Sequence, residues 1–77
     1  MSALPLVDET RPLRQLPAPR LCRLIRESAG VTQVRLAREV GCDRMTIARW
    51  EAGTRRPRGE LGLRYAEVLA ALREAVQ

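Results

Sequence analysis

Histidine, phenylalanine and lysine are absent from these 77 residues, and cysteine occurs only twice. Without histidine the chain lacks the usual general base, the usual proton shuttle and the commonest metal ligand. The only serines are Ser2 and Ser28, and neither sits in a nucleophile motif. Cys22 and Cys42 form no C-x-x-C pair, which removes the common zinc and thioredoxin-like readings. Both read as small, reduced core residues, with a disulfide as the minor alternative. A chain this short buries only about 60% of the surface its unfolded form exposes, so few residues remain to wall a catalytic cleft. No enzyme is expected, and no catalytic residue, metal, cofactor or small-molecule ligand is assigned. Long apolar runs are also missing: none approaches the ~20 residues of a membrane span. The stretch from Met1 to Ala18 has no apolar signal-peptide core. A cytoplasmic protein, associated with the nucleoid, is the expectation.

What is present is positive charge. The formal net charge is +5, and all 14 basic residues are arginine, whose planar fork suits phosphates and guanine edges. Exclusive arginine use is also what a GC-rich genome produces, so placement carries the argument. From Arg44 to Arg58 there are five arginines (Arg44, Arg49, Arg55, Arg56 and Arg58) against the single acid Glu51. A solvated surface explains such a cluster less well than an anionic partner does.

The chain divides into residues 1–18, an extended arm interrupted by Pro5, Pro12 and Pro17, and a helical domain over 19–77. The arm is either a loose tail or a segment whose Leu13 and Leu16 pack on the domain while Arg11 and Arg14 reach phosphates. Pro19 suits the first turn of a helix over about 20–29, with Leu21, Leu24, Ile25 and Ser28 facing inward and Gly30 ending it. A second helix, 32–40, is capped by Thr32 and faces the core with Leu36, Ala37 and Val40. Gly41 ends it, and Asp43 caps a third helix over 44–52 in which Ile47 and Trp50 point inward. After Gly53 comes the basic loop Thr54–Gly59. A last helix, about 60–76, carries an apolar stripe of Leu61, Tyr65, Leu69, Leu72 and Val76, with Val68, Ala71 and Ala75 as a weaker stripe beside it. The fold class is all-α, a bundle of four to five helices.

Two short helices joined by a three-residue turn form the geometry that inserts the second of them into a DNA major groove. The exposed residues of the third helix are then base readers: Arg44 and Arg49 for guanine O6 and N7, Met45 for a thymine methyl group, and Thr46 for a base or phosphate.

The string from Ile25 to Pro57, I-R-E-S-A-G-V-T-Q-V-R-L-A-R-E-V-G-C-D-R-M-T-I-A-R-W-E-A-G-T-R-R-P, continues to Y-A-E-V-L at Leu69. It resembles the Cro and phage-repressor (xenobiotic-response-element, XRE) family of helix-turn-helix domains. The ordered T-Q, L-A, G, W-E-x-G and P make the resemblance specific. It implies a lambda-repressor-like bundle with the third helix as recognition helix. Thr32 and Gln33 match the pair that holds a phosphate at the start of helix two, with Gln33 also bracing Arg44. Arg26 and Glu51 match a structural ion pair between helices one and three. The sequence departs from the family at Ala52, where asparagine is common, so Arg55 or Arg56 is left to supply that phosphate contact, with Thr54 and Arg58 as further phosphate-binding candidates. It departs again at Gly59 and Gly62, which replace apolar residues and affect how the last helix starts and packs.

The resemblance implies homodimers on a pseudo-palindromic duplex operator, and Val68, Ala71, Leu72 and Ala75 are the candidate dimer surface, unless that stripe is internal core. The expected function is a small phage or bacterial transcriptional regulator, a Cro-like or immunity-type repressor that acts by occupancy. The alternative is a protein-interaction module, such as an antitoxin or a restriction-modification controller working with a partner.

Overall fold

The computed structural model describes residues 11–76, which form five helices: α1 (Arg11–Arg14), α2 (Pro19–Ser28), α3 (Gln33–Val40), α4 (Arg44–Ala52) and α5 (Gly59–Ala75). The fold is all-helical, with no strand among the described residues. The expected arm is in part helical: α1 is a single turn that packs on α5, and residues 1–10 of the arm lie outside the described residues. Pro12 is the second residue of α1, where its missing N–H costs no hydrogen bond.

The core is built from Cys22, Leu36, Ala37, Val40, Ile47, Trp50, Tyr65 and Leu69. Leu36, Ala37 and Val40 supply the face of α3, and Ile47 and Trp50 that of α4, as their spacing indicates. Trp50 stacks at a tilt on Tyr65, ring centroids 4.6 Å apart, which joins α4 to α5. Both cysteines are free thiols, Cys22 buried and Cys42 half-buried, and burial pushes each thiol above its ordinary pKa. The Tyr65 hydroxyl is likewise pushed far up by burial.

α2 faces differently from its apolar pattern, whereas α5 buries the middle of its stripe, Tyr65, Leu69 and the half-buried Leu72, and exposes the two ends. On α2, Leu21 and Leu24 are 50% and 55% exposed and Ser28 is exposed, while Cys22 and Arg26 are buried and Ile25 is half-buried. The inner stripe is therefore Cys22, Ile25, Arg26 and Ala29, about one residue (~100°) around the helix from the leucines. Cys22 is buried, as expected of a small core residue; a paired arginine does not register in a hydrophobicity pattern, yet this helix buries Arg26.

On α5 the buried residues are Gly62, Tyr65, Ala66 and Leu69, while Leu61 and Val76 are 40% and 46% exposed. Gly62 sets how closely that face approaches its neighbours. A methyl group there would lie 2.9 Å from the carbonyl carbon of Pro57 and 3.0 Å from Cδ2 of Leu13, so its bare Cα lets the helix close onto the loop before it and onto α1. The weaker stripe divides: Val68 and Leu72 are half-buried and pack against the core, whereas Ala71 and Ala75 are exposed.

In an isolated helix Gly→Ala stabilises by ~1 kcal/mol. Here overpacking against the Pro57 backbone, at ~1–3 kcal/mol, opposes it. Gly62→Ala is expected to lower the midpoint of thermal unfolding, followed by circular dichroism; a raised midpoint would show that Pro57 and Leu13 yield freely.

Candidate nucleic-acid interface

The α3–α4 unit is held at its turn by two local devices. Gly41, at φ 92°, takes the left-handed conformation that lets its own N–H and that of Cys42 both return to the Ala37 carbonyl, at 2.8 and 3.0 Å. Asp43 then caps α4: its Oδ1 accepts from the Thr46 N–H and from the Thr46 hydroxyl, each at 2.8 Å. Those two bonds, assisted by Arg49 and Arg44, hold the Asp43 carboxyl below its usual pKa. A lowered carboxylate pKa means the cap is fully formed above the ordinary carboxylate range and is lost only as pH falls through the lowered value. At the start of α3, Thr32 Oγ1 accepts from the Arg35 N–H at 3.1 Å, which satisfies one of the first backbone N–H groups of the helix.

Behind this unit lies a buried polar network. Arg26 on α2 donates to Glu51 on α4 through Nε and Nη2, at 2.6 and 3.0 Å, a two-pronged pair between helices that are not adjacent in sequence. Arg26 Nη1 also donates to the Val31 carbonyl at 2.8 Å, which fixes the α2–α3 connection. The hydrogen bond to Glu51 raises the Arg26 pKa further above its ordinary value. Glu51 Oε1 accepts as well from Gln33 Nε2 at 3.0 Å, and Gln33 Oε1 accepts from Arg44 Nη1 at 2.9 Å. One chain of hydrogen bonds thus runs from the interior at Arg26 through Glu51 and Gln33 to Arg44 on the surface.

The outer face of α4 presents Arg44, Met45 and Arg49, all exposed, with Thr46 and Ala48 half-buried. The Thr46 hydroxyl is already donated to Asp43, so what it retains for a partner is acceptor capacity. In the loop, the Thr54 hydroxyl and N–H both donate to the Arg49 carbonyl, at 3.3 and 3.1 Å, which turns this side chain back onto the helix end. Arg55, Arg56 and Arg58 are exposed, and with Thr46, Arg49 and Leu61 they line a shallow concavity of about 370 Å³ over Trp50. Ala52 is exposed beside them. A basic concavity beside the outward face of a short capped helix fits a polyanion backbone. Among the described residues no cluster of acidic or cysteine side chains has metal-binding geometry, and no helix is long and apolar enough to cross a membrane.

One contact that sequence reasoning passed over also shapes this face. Pro19, at the head of α2, lies 3.6 Å from where a side chain on Gly53 would begin, a contact for which the sequence holds no signal.

Glu51→Ala is expected to cost ~3–5 kcal/mol, because it strands the buried Arg26 charge. Replacing both partners, Arg26→Met with Glu51→Leu, is expected to lose less than Glu51→Leu alone in urea titrations. Equal losses would show that Arg26 finds other compensation.

The helix-turn-helix family model matches residues 23–73, well over half of the chain and the whole of the α3–α4 unit. Curated proteins and solved structures give no match. The paired helices, their left-handed turn, the outward basic face and this match lead to one conclusion: the chain belongs to the helix-turn-helix family of the XRE, Cro and phage-repressor type, a family of DNA-binding transcription regulators.

Proposed function

We propose that the protein is a sequence-specific regulator that reads the major groove of double-stranded DNA with α4 and represses by occupying a promoter, as a Cro-like or immunity-type repressor. The observation that carries this reading is the anchoring of Arg44: one guanidinium nitrogen is held by Gln33, itself held by the buried Glu51. A guanidinium has five donors, so Arg44 keeps enough of them to meet guanine O6 and N7 after satisfying Gln33. Preorganising a long side chain in this way reduces the entropy lost when it meets a base edge. Arg49, four residues on from Met45 and on the same exposed face as it, is the second reader, Met45 contacts a thymine methyl group, and Thr46 accepts from a base or a bridging water.

Phosphates are bound on both sides of the reading helix. The amide start of α3 at Thr32 and Gln33 takes one strand. Arg55, Arg56 and Arg58 take the other, with Thr54 holding the loop in place. Two copies act together on an inverted repeat, with Ala71 and Ala75 as the exposed contact and Val68 and Leu72 backing it from the core. Their recognition helices then stand about 34 Å apart, one turn of DNA.

Selection of bound sequences from a random duplex pool at near-physiological salt is expected to enrich an inverted repeat with half-sites about ten base pairs apart; a pool that stays random overturns sequence-specific reading. Arg44→Ala and Arg49→Ala are expected to relax base preference, at ~1–3 kcal/mol of discrimination each, whereas Arg55→Ala and Arg56→Ala weaken binding to every sequence alike. Uniform losses for all four would overturn the assignment of readers. Sedimentation on the enriched duplex is expected to give two chains per site, and one chain per full site would refute the dimer.

A further inference from the structure

The segment from α1 to the start of α2 lies against the basic loop at both of the loop's ends. At the near end, Pro19 Cγ sits 3.6 Å from the position a side chain on Gly53 would take. At the far end, Leu13 Cδ2 and the Pro57 carbonyl carbon close over the same bare face of Gly62, 3.0 and 2.9 Å from where its Cβ would be. Between these contacts the two segments enclose a cavity of about 460 Å³, with Leu13, Leu16 and Pro19 on one wall and Gly53, Arg55 and Pro57 among the residues opposite. The segment is itself tied down: Leu16 packs against the core, and the Cys22 thiol donates to the Pro17 carbonyl at 3.4 Å.

The loop's own hydrogen bonds are uneven. Thr54 and Arg55 both donate backbone N–H groups to the Arg49 carbonyl, which fixes the near end to α4. At the far end the Arg58 carbonyl accepts from the Gly62 N–H at 3.1 Å, while Pro57 has no N–H to donate, so packing around Pro57 acts beside that one bond. Arg55, Arg56 and Arg58 flank that point, and their exposed side chains point wherever the backbone at Pro57 sends them.

We infer that Leu13 is a positioning residue for the phosphate-binding loop: by clamping Pro57 onto Gly62, α1 sets where Arg55, Arg56 and Arg58 meet the DNA backbone. This rests on the reading of that loop as a phosphate contact. Leu13 lies outside the core cluster, so its truncation leaves the bundle folded while it frees the far end of the loop. The clamp acts on phosphate affinity and leaves base preference to Arg44 and Arg49.

The test uses the full chain and a random-sequence duplex, whose binding the phosphate contacts dominate. Affinity is titrated over a series of salt concentrations for the unmodified chain, Leu13→Ala, Leu13→Met and Arg56→Ala. Leu13→Ala is expected to weaken binding about 3- to 10-fold and to flatten the slope of log affinity against log salt by ~0.9, the value of one lost phosphate contact. Leu13→Met, which restores bulk, is expected to recover both. In Leu13→Ala without DNA, hydrogen exchange is expected to quicken at the Gly62 amide, which is bonded to the Arg58 carbonyl at the far end of the loop, and to stay unchanged within α4. Unaltered affinity and slope for Leu13→Ala, beside a weakened Arg56→Ala, overturns the clamp alone. Unaltered binding by Arg56→Ala and Arg55→Ala overturns the phosphate loop, and the clamp with it. Faster exchange throughout the bundle in Leu13→Ala assigns Leu13 to general stability and overturns the positioning role.

Discussion

The rest of the molecule depends on one buried charge pair. Arg26 and Glu51 face each other at hydrogen-bond distance in the interior, and neither tolerates being there alone. Desolvating two charges costs several kcal/mol per ion unless geometry and further hydrogen bonds offset it, which makes the pair a weak source of net stability. Its value here is directional. A two-pronged contact admits one mutual orientation, so it fixes the rotation of α2 against α4, and the remaining donor of Arg26 pins Val31 between α2 and α3. With Gln33 on the second oxygen, three helices take their relative positions from one carboxylate.

The same network reaches the surface. Arg44 would otherwise be a long, freely rotating side chain at the tip of a helix. Gln33 gives it a fixed partner whose own place is set from the interior, and a preorganised guanidinium is the kind of group that discriminates between base edges. The basic loop is held differently, by backbone bonds at Thr54 and Arg55 and by packing around Gly62 and Pro57. One face of the protein therefore combines an arginine braced from the interior with a loop of arginines that has apolar contacts behind it. The separation suits the two kinds of DNA contact: base edges require angular precision, and phosphates require mainly charge at the right distance.

Much of this was legible in the residues because it is local. The caps at Thr32 and Asp43, the stop at Gly41 and the inward faces of α3 and α4 follow from turn chemistry and 3.6-residue spacing within ten residues of chain. The basic cluster between Arg44 and Arg58 is a matter of counting. The pairing of Arg26 with Glu51, and the bracing of Arg44 by Gln33, came from the resemblance to the Cro and phage-repressor family, since no local rule joins residues 25 positions apart. The helix at Arg11–Arg14 did not register, because one turn containing a proline has no period to detect.

Local propensity, charge placement and the family string thus determined an all-helical domain and the face it turns outward. Tertiary structure alone decided the phase of α2 and which ends of the α5 stripe are left exposed. A hydrophobicity pattern ranks Leu21, Leu24 and Leu61 above Cys22, Arg26 and Gly62, yet the second set is buried. An arginine becomes an interior residue only once a carboxylate from another helix meets it, and a glycine becomes one only when another segment closes to contact distance. Both conditions are set by partners remote in sequence, which is why they appear only when the chain is folded.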